Sequence, residues 1–350
     1  MGSEKKRILK LVEEGKLSAE EAITLLEALD SNNDHKKSDE FTFNNYKYAS
    51  LKDKVFDFLD TAIQKVKEID VDFNFASTTS VDHVFQQDLT EPLTQMQIEL
   101  ANGSVQLKPW AESGVRIECN AKVFGTDSHD EANRLLMQDT AFTVDSGMLK
   151  FTALRKTMRL DTVVYIPENE YEHVKVKVFN GTINGERMKV KEYKMKTANG
   201  AITLLDSEAD RLSLETGNGQ VKVKDSKVRD CEVETVNGAI SVTGNYEKVD
   251  LQTFNGHITF EPADESCKNV VLKTTTGSID YRVAADVAIQ GELRSSLGSF
   301  TCNIPGLDVV EEKNDVMQKS MRFRVNKDVE NPMYFYAETK TGSITLKKLS

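Results

Sequence analysis

Only four of the 350 residues are cysteines, and Cys119, Cys231, Cys267 and Cys302 stand far apart with no paired spacing. That pattern argues against a disulfide frame or a cysteine zinc site and fits thiols kept in a reducing compartment. No apolar run reaches the roughly 18 residues a helix needs to span a bilayer. The opening Met1-Gly2-Ser3-Glu4-Lys5-Lys6 lacks the apolar core of an export signal, and Lys6 stands where a myristoylation motif wants Ser or Thr. A cytoplasmic location is therefore expected, with peripheral membrane association and surface exposure left open. Positive charge is short as well. The chain has 45 Lys and Arg against 56 Asp and Glu, a net charge of −11, and no basic stripe, which excludes a nucleic-acid partner.

Catalytic signatures are missing too. His35, His83, His129, His173 and His257 share no spacing with each other or with a cysteine. No zinc motif, phosphate loop, dinucleotide fingerprint or nucleophile elbow occurs. The expectation is a non-enzyme with no catalytic residues, no metal and no cofactor. Asp206 and Asp225 could begin a column of carboxylates of the kind some polysaccharide-cleaving β-helices use. Solvated turn residues are the plainer reading.

What the chain does have is a period. Asn180-Gly181, Asn199-Gly200, Asn218-Gly219, Asn237-Gly238 and Asn255-Gly256 recur, their glycines stepping by 19, 19, 19 and 18 residues. Further copies centre on Gly277, Gly298 and Gly342, and an early one on Asn102-Gly103. A fixed period of this size marks a repeat architecture. Around each glycine the residues alternate, as in Leu212-Ser-Leu214-Glu-Thr216 before Gly219 and Val221-Lys-Val223 after it. Alternation with β-branched residues gives strands with one buried and one wet face. A Thr also recurs three residues before the glycine (Thr197, Thr216, Thr235, Thr253, Thr274, Thr339).

Two folds fit this unit. Asn-Gly between alternating runs is a strong hairpin signal, which would give a meander. The favoured alternative is a mainly β chain wound as a right-handed β-solenoid of 19-residue coils, where identical corner residues stack into ladders. The corner residues are then structural.

Residues 1–30 read as a helical hairpin with Ile8, Leu9, Val12, Ile23 and Leu26 on its apolar faces, and Ser18-Ala19-Glu20-Glu21 as a capping box. Two such short helices bury too little to stand alone, so this module is expected to bind a partner or a second copy of the chain. Residues 31–49 make a linker, and 50–70 an amphipathic helix that caps the solenoid or lies on a partner or membrane surface. The solenoid itself is expected over 71–350. Within it, Met96–Leu107 and Val115–Cys119 read as separate rungs, 130–137 as an inserted helix, and the tail from Met321 as closing the far end.

The Asn-Gly-Ala-Ile and Thr-Gly-Ser-Ile phrases resemble the bacterial "putative adhesin" β-solenoid domain, a family of undefined activity. The hairpin Ile8–Ala22 is similar to a helical module found before that domain in Gram-positive bacteria. The resemblance implies a role in cell-envelope stress linked to membrane-acting antibiotics, and it supplies no catalytic residues. A scaffold that binds a membrane-protein partner or a membrane-active peptide follows as the expected function. A carbohydrate-active β-helix that binds or cleaves wall polysaccharide is the alternative.

Overall fold

The computed structural model describes residues 77–283, 287–315, 318–326, 329 and 331–349. The hairpin, the linker and the amphipathic helix, with Ile8, Leu9, Val12, Ile23 and Leu26, lie outside the described residues. Within them the chain is mainly β, with a single α-helix.

Each period folds as a long strand, a corner and a short strand. In Lys189–Asn199 the residues Val190, Tyr193, Met195 and Thr197 turn inward while Lys194 and Glu192 face out. Glu208–Asn218 lies parallel beside it, with Leu212 next to Tyr193, Leu214 next to Met195 and Thr216 next to Thr197. The short strands repeat the offset: Ile202 sits beside Ile183 on one side and Val221 on the other. Every strand pairing from Glu170 to Val283 is parallel. A meander would pair successive strands antiparallel, so the hairpin alternative is excluded.

Stacking makes the core. Val176, Met195, Leu214, Val233, Leu251 and Leu272 form one inward column on the long strands. Ile183, Ile202, Val221, Ile240, Ile258 and Ile279 form its counterpart on the short ones. All twelve are buried. At roughly 1.5–3 kcal/mol for each fully buried aliphatic side chain, this seam is the main stabilising term, and no rung can bury it alone. Larger rings fill the later rungs, where Phe260 stacks on Tyr281 at 5.5 Å and Tyr281 on Phe335 at 4.7 Å.

The ends depart from chain order. The rung 95–110 lies between 148–167 and 170–186. At the other end, 333–348 lies between 269–283 and 289–303. The tail therefore does not simply close the far end. Its last repeat copy inserts one rung inward, and among the described residues Lys319–Val325 and Leu307–Asn314 cap that edge, both antiparallel. Val115–Phe124 is not a rung either. It pairs antiparallel with Met158–Pro167 and Thr78–Gln87, sealing the opposite end. The inserted helix spans His129–Asp139, and its cap Ser128 accepts a hydrogen bond from the Glu131 amide at 3.3 Å.

Candidate functional site

The corner residues are architectural. A methyl group added at Gly219 would overlap the carbonyl oxygen of Gly200, and Gly200, Gly238, Gly256 and Gly277 meet the glycine before them in the same way. The column runs from Gly103 through Gly181 to Gly277, then to Gly342 and last to Gly298, which repeats the inserted order of the final rung. Each threonine of the recurring corner donates to the carbonyl of the glycine one rung back: Thr197 to Gly181 at 2.9 Å, Thr216 to Gly200 at 2.9 Å, Thr235 to Gly219 at 3.2 Å. Outside the column, Asn180, Asn199, Asn218 and Asn237 each donate a side-chain N–H to the asparagine before them at 2.8–2.9 Å, starting from Asn102. Asn255 keeps the backbone part of this pattern, accepting from the Gly238 amide at 3.0 Å.

A second corner was not anticipated. Arg187, Asp206 and Asp225 adopt left-handed φ of 52°, 47° and 51°, and Gly244 takes φ 130° one rung later. Asp tolerates that region better than most residues, so Asp206 and Asp225 are exposed turn residues and no carboxylate column is needed to account for them. Ser207 and Ser226 follow them, buried, each donating to a carbonyl two residues back and each accepting from a backbone amide one rung away. Their 19-residue spacing was the signal that could have found this corner.

At the start of the long strands, a groove of about 760 Å³ crosses the rungs. Val190, Val228 and Tyr246 line its buried floor, and its walls are charged. On four successive rungs both walls carry one sign: Glu170 with Glu172, then Lys189 with Lys191, Glu208 with Asp210, Lys227 with Arg229. Adjacent bands pair, Lys191 to Glu172 at 2.6 Å, Lys189 to Glu208 at 3.9 Å and Arg229 to Asp210 at 3.6 Å. The Glu172 hydrogen bond raises the Lys191 pKa. These pairs are exposed, and pairs of this kind contribute about 0–1 kcal/mol each.

The remaining candidate groups are the cysteines and the described histidines. Burial pushes the thiols of Cys119 and Cys267 up to about 12 and that of Cys302 to about 11, and raises Cys231 as well, so all four are poor nucleophiles. His173 faces Glu192 at 3.1 Å and His257 faces Asp280 at 3.2 Å, each on a neighbouring rung. Among the described residues no group of three His, Cys, Asp or Glu side chains is placed to hold a metal, and no helix is long and apolar enough to cross a membrane.

Parallel rungs locked by glycine, threonine and asparagine columns, with charge displayed outside, define a mainly β repeat protein. The chain belongs to the Toastrack DUF4097 family, whose model matches residues 93–329. A second model, described as a SHOCT-like domain, matches residues 3–34. The chain is similar to "Uncharacterized protein YvlB" of Bacillus subtilis (strain 168), at 44% identity over 362 residues and 99% of each chain. Two solved structures are more loosely similar. A "putative cell adhesion protein" from Clostridium sporogenes ATCC 15579 is 9% identical, over 77% of this chain and 100% of that one, with TM-score 0.26. A "putative adhesin" from Bacteroides fragilis NCTC 9343 is 11% identical, over 78% and 98%, with TM-score 0.30.

Proposed function

We propose that the chain is a scaffold of the bacterial cell-envelope stress response, without catalysis of its own, that docks a membrane-protein partner or a membrane-active peptide in the banded groove. In this reading the stacked strands are a right-handed β-solenoid acting as a rigid rod, and the envelope setting rests on the family resemblance alone. The observation that carries the docking is the charge banding.

Parallel rungs lie about 4.8 Å apart, so the acidic positions Glu170/Glu172, Glu208/Asp210 and Glu247 recur every two rungs, about 9.6 Å. A polyproline-type extended chain presents the same side every three residues, about 9.3 Å. A segment with Lys or Arg at every third position therefore keeps register with the acidic bands. The bands already pair with each other, so binding is expected to be weak and salt-sensitive. Among the described residues the groove walls carry no exposed aromatic ring on which a sugar could stack, which favours a peptide over a polysaccharide.

Fluorescence anisotropy with two labelled peptides of equal composition tests this, one with Lys at every third position and one at every second. The first is expected to bind more tightly and to weaken on Glu208→Gln/Asp210→Asn. Equal binding, or none that saturates, discards the reading.

A further inference from the structure

Several outward columns of this stack alternate in sign from rung to rung. Glu172, Lys191, Asp210, Arg229, Glu247 and Lys268 follow one another along one column, and His173, Glu192, Arg211, Asp230 and Lys248 along the next. Two neighbouring columns further along the long strands break this rule. Lys175 sits directly beside Lys194 and Lys177 beside Lys196. Two rungs on, Glu215 sits beside Glu234 and Glu232 beside Asp250. Like charges directly opposite in a sheet are destabilising. Here they are gathered into a basic block and an acidic block that meet where Lys194 and Lys196 both reach Glu215, at 3.1 and 2.5 Å.

Segregation of this kind makes the face complementary to itself. We propose that it pairs with the same face of a second copy of the chain, about a two-fold axis that runs along the strands between Lys189–Asn199 and Glu208–Asn218. That operation keeps each column over itself and reverses the rung order. Lys196 then opposes Glu215 of the second copy, Lys175 opposes Glu232, Lys177 opposes Glu234, and Lys194 meets the Ser213 hydroxyl. One rung further out, Gln97 meets Asp250 and Glu99 meets Gln252. No like charges oppose each other across the interface.

An isologous contact of this form closes on itself as a dimer. Lys175, Lys194 and Glu232 are exposed, and facing sheets about 10 Å apart bring long Lys and Glu side chains within reach of one another. Six rungs about 4.8 Å apart, each about eight residues long at about 3.3 Å per residue, present roughly 750 Å² per copy. That is close to the about 800 Å² per partner of a standard stable interface. The contact is separate from the peptide groove, so either can fail without the other.

Sedimentation velocity on the full chain across a dilution series is the test, with K175E/K177E and E232K/E234K compared at low salt. Each double variant places like charges across the interface and is expected to weaken association about tenfold or more. Mixing the two variants restores every opposite pair, as does the quadruple variant K175E/K177E/E232K/E234K, so both should regain wild-type association. That rescue also shows the doubles to be folded. A wild-type chain that stays monomeric, with the face bare or covered by other residues of the same chain, overturns the proposal. So does a dimer indifferent to either double variant.

Discussion

Replacing Gly219 by alanine isolates the feature that holds the rungs together. Gly219 does not have a positive φ, so alanine pays no conformational penalty there. Its methyl group would, however, overlap the Gly200 carbonyl directly below. Neither backbone can yield without disturbing the ladder, since Gly219 N–H donates to Asn237 at 2.9 Å and Val221 N–H to Ala239 at 2.9 Å. Overpacking costs about 1–3 kcal/mol, and weakening two ladder bonds at about 1 kcal/mol each brings the expected loss to about 3–5 kcal/mol. The reduced freedom of the unfolded chain returns about 0.4–1 kcal/mol. Gly306 is the complementary control. It sits at φ 73° with Asn326 Oδ1, 3.8 Å away, the nearest atom to an added methyl. Gly306→Ala therefore carries left-handed strain without collision, and about 1 kcal/mol is expected. Urea unfolding of both variants reads the difference, and hydrogen exchange should place the Gly219→Ala damage on the adjoining rungs. If Gly219→Ala costs no more than Gly306→Ala, close stacking is not what selects glycine at this corner.

Three other outcomes follow from the core. Tyr193 is fully buried and its hydroxyl has no hydrogen-bond partner, so Tyr193→Phe is expected to leave stability unchanged or raise it by about 1 kcal/mol in urea unfolding; a clear loss would mean the hydroxyl is satisfied in solution. Thr216→Val removes the buried donor to Gly200 and is expected to cost about 1–2 kcal/mol, with Thr216→Ser losing less in the same titration; equal losses would assign the effect to packing instead. Burial holds protons on the thiols of Cys119, Cys267 and Cys302 to higher pH than in the unfolded chain, whose thiols titrate near 9.0. The folded state therefore retains protons that the unfolded state releases above that value, and stability should fall as pH rises from 9.0 toward about 11. A flat profile over that range would refute the burial of these groups.

The 19-residue period, the strand alternation and the Asn-Gly-Thr corner were legible in the sequence because each leaves a residue-type mark at a fixed spacing. Thr216 and Thr235 had to be threonine-like to reach a carbonyl one rung back, and that requirement repeats with the rung. The order of the rungs was not legible. Parallel pairing is made by backbone groups that every rung offers alike, so Thr341-Gly342-Ser343-Ile344 announces a rung without saying which neighbours it takes. Val115–Phe124 carries the same alternation as a rung, because an antiparallel end strand also buries one face. The charge columns were within reach: once 19 is known as the register, Lys175 and Lys177 fall beside Lys194 and Lys196 by subtraction. The second corner is half legible, since Asp206 and Asp225 stand out as acids although their contribution is a left-handed backbone.

The inserted rung at the C-terminal side constrains how the molecule can be made. A chain that emerges from the ribosome N-terminus first can add each rung from 170 to 283 onto the one before it as soon as it appears. Residues 289–303 have no such seat, because their parallel neighbour is 333–348. Until that segment has been synthesised, the partner that the described residues offer is Lys319–Val325, which pairs antiparallel with 289–295 alone, and the edge of 269–283 stays open. The growing molecule therefore exposes a ready-made strand acceptor during its last stage of synthesis, when a neighbouring chain on the same message could fill the gap with its own 333–348 and leave two molecules exchanged.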